Sequence, residues 1–468
     1  SASVYSRTLK VDTFDYLNSI GYIENDRYQQ TLPLRIDIEL PIIQQVVNGE
    51  TYPASARLSA GYDDYDIDVE FTNLYARLNA AGKLWAVLQH YYPHLDELDI
   101  VWSDELNPLL TQCIESTDNC GLAMRKLLTK TGDNHNRLSS EHTALGAYTP
   151  PLGFAWLEDK AILVYKKNAD SVAEVGDQLV AIDGIDIDAL ILEQREYSLR
   201  ADNKKTSRLV TYELLRGPEN QSVELTLKAN NDVEYQISTT RSEQYWDVLS
   251  EIYATMTGNK TAKHLELDNQ IHYVNLSEIE ADDVDAMVEK ISAAKAMVLD
   301  LRNYPNWQGW TRFLPHFADY PIKALPMFSF RPTSPNQQVA SLVPSSQSFT
   351  NRQPFFDVPV IVLASRYSIS QNEHALGYVQ DAGLPILGED TYGINGNTTY
   401  IHMLGGSDNG GLTAIFTGMK VTQHDGSRLR GVGIIPDIHV AVTIDSIVQG
   451  EDIQLNKALE YLQQQLLE

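Results

Sequence analysis

The apolar run Val358-Pro359-Val360-Ile361-Val362-Leu363-Ala364 passes at once into the polar stretch Ser365-Arg366-Tyr367-Ser368-Ile369-Ser370-Gln371-Asn372-Glu373-His374. No other part of the chain constrains its fold as strongly. A short β-branched run reads as a buried strand, and Gln371 to Val379 carries helical spacing, with Ala375, Leu376 and Val379 on one face. Ser370 therefore falls where a strand turns into a helix. Such a place exposes a hydroxyl and directs the N–H groups of a helix N-terminus toward whatever that hydroxyl attacks. The plainer reading makes Ser368 or Ser370 a helix cap, because Ser is a preferred N-cap. Taken alone, the segment favours the cap.

At 468 residues the chain is long enough for about three domains. An apolar fraction of 43% and a charged fraction of 21% describe a globular protein with a sizeable core. There are 63 acidic against 36 basic residues, a net charge of −27. A surface of that sign repels nucleic acid and anionic membrane, so neither is an expected partner. No apolar run reaches the ~18 residues of a membrane span. The first residues, Ser1-Ala2-Ser3-Val4-Tyr5, show no signal peptide, and Ser1 is not an initiator Met. Processing or a construction boundary accounts for such a start, so export is compatible with it. Cys113 and Cys120 flank a short polar stretch without a CxxC or a His cluster, which argues against zinc. They read either as a disulfide, in keeping with the expected periplasmic or extracellular location, or as two free thiols beside a helix–helix turn.

Four segments follow from the patterning. Residues 1–68 include the alternating Leu34-Arg35-Ile36-Asp37-Ile38-Glu39-Leu40, a strand pattern, and read as an arm or part of a β-rich region. Residues 69–148 are helical: Leu74, Leu78, Ala81 and Leu84 share a face, Pro93 ends the helix, and further helices span 103–113 and 122–128. Residues 149–242 are β-rich, with a strand at 161–165, a turn, a strand and an Asp183-Gly184 turn within 175–184, and a strand at 222–227. Residues 243–468 alternate strands (271–274, 296–301, 358–364) with amphipathic stretches such as 284–293, which predicts a parallel sheet with covering helices. Sites in such sheets form at the C-terminal strand ends, where Ser370 and the segment after Asp300 lie.

Together these pieces resemble the C-terminal-processing and tricorn-like serine peptidases, from about residue 70 to the end. The stretch Val175–Gly184 resembles the core of a PDZ domain, and Leu152-Gly153-Phe154 its carboxylate-binding loop. Leu299-Asp300-Leu301-Arg302-Asn303 resembles the family's D-L-R strand end. Ser370-Gln371-Asn372-Glu373, with Gly388-Glu389-Asp390-Thr391 downstream, is similar to the nucleophile turn and its G-E-x-T strand, and Gly433-Ile434-Ile435-Pro436-Asp437-Ile438 to the closing motif. The resemblance implies an α/β multidomain fold: a ClpP/crotonase-like catalytic domain with a parallel sheet, a helical N-terminal subdomain and a PDZ-like module.

Processing peptidases of this family place a Lys shortly after the G-E-x-T segment, but Gly393 is followed here by Ile394, Asn395 and Gly396. Tricorn-like members use a His in a G-D-x-H setting, which Gly132-Asp133-Asn134-His135 matches. The resemblance thus assigns Ser370 as nucleophile, His135 as base and the Gln371 N–H as an oxyanion donor. A serine hydroxyl needs such a base, and an imidazole titrating near ~6.5 suits the task. Three positions depart from the pattern: Asn134 where Ser precedes the His, Arg430 where an orienting Glu is expected, and Pro305, which has no N–H, in the oxyanion segment. Glu373 reads as a charge supporting the helix N-terminus, and His316, His374 and His402 as ordinary histidines.

The expected function is a serine-type peptidase acting on peptides or proteins, whose C-termini the PDZ-like module captures. The alternative is a catalytically weak or inactive relative that binds peptides or apolar ligands. No metal and no organic cofactor is implied.

Overall fold

A computed structural model describes residues 22–24, 29–31, 71–139, 145–169, 171–258, 262–332, 340–345, 347–404 and 412–467. The strand expected at 34–40 lies outside them; nearby, Tyr22–Glu24 and Gln29–Thr31 form an antiparallel hairpin. The chain separates into two compact units, one of Ser1–Ala144, Phe328–Pro344 and Gly396–Lys420, the other of Leu145–Met327, Ser345–Asn395 and Val421–Glu468.

In the first unit, α1 (Leu74–Tyr91) starts at Asn73, whose Oδ1 accepts the amides of Tyr75 at 2.9 Å and Ala76 at 3.2 Å. Leu74, expected on the apolar face, lies in the first turn and is exposed; Ala80, Ala81, Leu84 and Leu88 are fully enclosed. Helix α2 (Leu106–Glu115) and α3 (Thr117–Thr129) pack on α1 and are joined by a Cys113–Cys120 disulfide. An antiparallel sheet places Leu412–Thr417 between Arg137–Ser139 and Thr398–Leu404.

The second unit begins with a β-rich module. Its strands β1 (Leu152–Leu157), β2 (Lys160–Lys166), β3 (Gln178–Ile182), β4 (Ser222–Lys228) and β5 (Glu234–Thr240) are antiparallel neighbours in the order β5-β4-β3-β2-β1. Asp183 and Gly184 both hold positive φ, as the expected turn requires. The edge strand β5 is absent from the sequence expectation; most of its side chains are solvated, so the burial signal is weak. Leu152, Phe154, Leu163, Leu179, Leu225 and Leu227 share the core with α4 (Ile187–Gln194). Helix α5 (Asp202–Arg208) follows, and α6 (Tyr245–Met256) lies over β1 and β2.

The rest of the unit is a mixed sheet ordered β6 (His264–Leu267), β7 (Ile271–Asn275), β8 (Ala296–Asp300), β9 (Val360–Ala364), β10 (Ile386–Gly388) and β11 (Ile438–His439). Only β6 runs antiparallel; the registers Leu299↔Val362 and Ala364↔Gly388 belong to the parallel part. Its strands β8 and β9 are buried throughout, which is why they read as continuous apolar runs. Helices α7 (Val284–Lys290), α8 (Trp307–Phe313), α9 (Gln371–Asp381), α10 (Ile444–Gln449) and α11 (Ile453–Gln465) complete the unit, with Leu455, Ala458 and Leu462 of α11 packed on the sheet.

Candidate active site

The site grows from the adjacent ends of β8 and β9. Past β8, Arg302 is fully enclosed and its guanidinium forks onto Asp300 (3.1 and 2.7 Å) and Asp452 (2.7 and 2.9 Å). Tyr273 adds its hydroxyl to Asp300 at 2.7 Å. A cation held between two carboxylates fixes the backbone that follows it.

The turn after β9 is stitched to that backbone. Ser365 Oγ donates to the Arg302 carbonyl at 3.0 Å and Ser368 Oγ to the Leu301 carbonyl at 3.1 Å. Asn372 Nδ2 donates to the carbonyls of Leu301 and Asn303 at 2.8 and 2.6 Å. Ser365, Ser368 and Asn372 are all buried. Ser370 differs: it is half-buried, and its Oγ makes no hydrogen bond to the described residues of its unit. It stands at the N-cap of α9 with φ 57° and ψ −106° and gives no side-chain cap bond. A non-glycine residue with that backbone stores roughly 1–3 kcal/mol of strain, which its surroundings must hold.

The restraint comes from the loop after β10. The Ser370 amide donates to the Ile394 carbonyl at 2.9 Å. The fully buried Glu373 receives the amides of Gly393 and Ile394, each at 2.7 Å, and the Thr391 hydroxyl. The carboxylate thus serves the loop, whereas the sequence reading assigns it to its own helix N-terminus. Burial pushes Glu373 up to about 7, against the pull of those three donors and of Lys204 on α5. The closing motif holds the same loop through Ile434, whose N–H donates to Thr391 Oγ1 at 2.7 Å, while its Asp437 accepts the amide of Ile386 at the start of β10 at 2.8 Å. A Cβ on Gly433, at φ +88°, would stand 2.6 Å from the Thr391 carbonyl oxygen.

The Gln371 amide, first in α9, has no acceptor among the described residues, and the Gln371 side chain donates to the Pro305 carbonyl. Pro305 thus contributes an acceptor to the segment in which it has no donor to offer.

His135 belongs to the other unit, in the turn after α3. Its amide donates to Asp133 Oδ1 at 2.8 Å, and its Nδ1 lies 2.9 Å from Thr417 Oγ1. Asp133 is fully buried and also receives the amide and the hydroxyl of Thr417, at 2.6 and 2.8 Å. Thr417, on the strand Leu412–Thr417, has no signal in the sequence.

Leu152, Gly153 and Phe154 open the edge strand β1 and are buried. Beside them a groove runs between β1 and residues 210–216, and α6 fills it. A Cβ on Gly153 would meet Ile252 Cγ1 at 2.6 Å. The room left is about 20 Å³, enough for one water. Tyr253 of α6 also meets Tyr367 of the turn after β9 in a tilted ring contact, 4.5 Å between centroids, and Thr257 just beyond α6 donates to Asn303 at 3.2 Å.

No helix among the described residues is long and apolar enough to cross a membrane, and none of their His, Cys, Asp or Glu side chains form a metal-binding cluster. His374 stacks on Trp307, and His316 bonds to the Pro354 carbonyl at 2.9 Å.

The parallel sheet thus carries, past a strand end, a half-buried serine with a strained backbone at a helix N-terminus, the kind of arrangement serine hydrolases use. Residues 270–440 match the model of peptidase family S41, which supports a C-terminal-processing-like serine peptidase. Among solved structures it is similar to mature CPAF, with a TM-score of 0.65 and 13% identity over 84% of this chain and 98% of that one. The likeness to CPAF complexed with lactacystin has a TM-score of 0.62 and 12% identity over the same shares. The tricorn protease is similar at a TM-score of 0.40 and 11% identity, over 84% of this chain and 37% of that one. At these identities the CPAF likeness is one of fold. No curated protein sequence matches the chain.

Proposed function

We propose that this peptidase works through Ser370 as nucleophile and His135 as general base. The Ser370 Oγ attacks the scissile carbonyl while its proton passes to His135; His135 returns that proton to the leaving amine as the C–N bond breaks. Water then hydrolyses the acyl-enzyme by the same route in reverse. The Gln371 N–H and a second donor from residues 303–309 hold the oxyanion, each worth about 3–4 kcal/mol of the barrier. One observation carries the choice of nucleophile. Of the turn's three serines, Ser365 and Ser368 spend their hydroxyls on backbone carbonyls and Ser370 does not.

The parallel-sheet part is read as ClpP/crotonase-like and the β-rich module as PDZ-like, on the four motifs and the antiparallel sheet that carries Leu152-Gly153-Phe154 at its edge. Such an edge takes an extended peptide as an added strand, with a C-terminal carboxylate on the loop. Because α6 occupies the groove, capture there displaces α6. The Cys113–Cys120 disulfide supports an oxidising, exported setting.

Arg430 and Pro305 favour the second reading, a ligand-binding protein without hydrolysis. The test is labelling with a fluorophosphonate probe. Labelling of wild type that is lost in Ser370→Ala and His135→Ala supports catalysis, whereas a folded wild type that takes no label supports ligand binding.

A further inference from the structure

The His135 assignment leaves its orienting partner unnamed, because Arg430 stands where the related pattern has a carboxylate. The first unit holds a different partner. A hydroxyl has one proton, and Thr417 gives its proton to Asp133 Oδ1 at 2.8 Å. Asp133 has no proton of its own to offer there: it also accepts the amides of His135 and Thr417, at 2.8 and 2.6 Å. Thr417 Oγ1 can then only accept from the imidazole 2.9 Å away. Hydrogen therefore sits on Nδ1, and Nε2 presents the lone pair that a general base needs. This tautomer is assigned from the bonding network.

We propose that Thr417, backed by Asp133, is the positioning residue of His135, taking the place of the orienting carboxylate. The inference rests on the reading of His135 as base. When the imidazole takes a proton, the positive charge faces a hydroxyl whose own proton points at a buried carboxylate. The negative charge of Asp133 is thus passed on through one neutral group. Asp133 also grips the His135 amide, so backbone and ring are held from one carboxylate.

The test uses the whole chain with Thr417→Val, which keeps the branched shape and removes the hydroxyl, and Thr417→Ser, which restores it. Two readouts are followed between pH 5 and 9: the fluorophosphonate labelling rate and the ¹⁵N shifts of the His135 ring. The expected result is hydrogen on Nδ1 in wild type, and in Thr417→Val a lower imidazole pKa with labelling slowed by at least ~10-fold. Thr417→Ser is expected to recover both. Hydrogen on Nε2 in wild type, or a His135 titration identical in wild type and Thr417→Val, overturns the proposal. Should Thr417→Val not fold, Asp133→Asn is followed by the same ring shifts. Failure of the base reading is a separate result, since His135→Ala would then label as fast as wild type whatever tautomer the ring shows.

Discussion

The amide of Ser370 donates to the carbonyl of Ile394 at 2.9 Å, and the amide of Ile394 is itself held by Glu373 at 2.7 Å. Glu373, three places beyond Ser370, thereby reaches across a loop to hold the residue whose carbonyl holds the Ser370 amide. A strained φ at Ser370 persists because this circuit closes on itself.

Glu373 makes that circuit pH-dependent. Its folded pKa, about 7, lies above the ordinary 4.5, so the folded state binds its proton more tightly than the unfolded state. The associated stability is fully present below about pH 4.5 and is lost as pH rises through about 7, by roughly 3 kcal/mol in all. Glu373→Gln is expected to remove this slope, at a constant cost of about 1–3 kcal/mol for one mismatched donor. Urea unfolding of both proteins from pH 4.5 to 8 measures it, and parallel curves would sink the idea.

The serines of the turn are expected to separate into structure and chemistry. Ser368→Ala removes bonds to the Leu301 carbonyl and the Ser365 amide and is expected to cost about 1–3 kcal/mol of stability while leaving a labelled site. Ser370→Ala is expected to lose all labelling with unfolding unchanged within about 0.5 kcal/mol. The reverse pattern would assign the nucleophile to Ser368.

Arg302 is a fully buried cation between Asp300 and Asp452. Arg302→Ala leaves both carboxylates without their counterion and is expected to destabilise by about 3–5 kcal/mol. Denaturant unfolding checks this; a loss under 1 kcal/mol would mean that water replaces the guanidinium.

Ile252 closes the groove beside Gly153. Ile252→Ala is expected to lower stability by about 2–5 kcal/mol and to strengthen binding of a fluorescein-labelled peptide with an apolar, free C-terminus. Anisotropy titration reads the second effect. Equal affinity for wild type and variant would count against capture at this groove.

Much of the local structure is legible in the amino-acid order. The strand–turn–helix at Ser370 follows from a β-branched run meeting helical spacing, and the Asp183-Gly184 turn from its dipeptide. The candidate base is legible only because Gly132-Asp133-Asn134-His135 matches a known setting. Edge strand β5 escapes notice because a solvated strand has little burial pattern to show. The cysteine pair leaves two readings open, and only the packing of α2 against α3 joins the sulfurs.

Sequence by itself determined the elements whose causes lie within a few residues: apolar period, capping and turn chemistry, and the order of the motifs. Tertiary structure decided which groups meet. Thr417 reaches Asp133 across 284 residues, Arg302 reaches Asp452 across 150, and residues 328–344 and 396–420 join the helices of the first unit. Such partners are set by where the folded backbone returns, and a hydroxyl or carboxylate carries the same letter whether it is solvated or buried against a histidine.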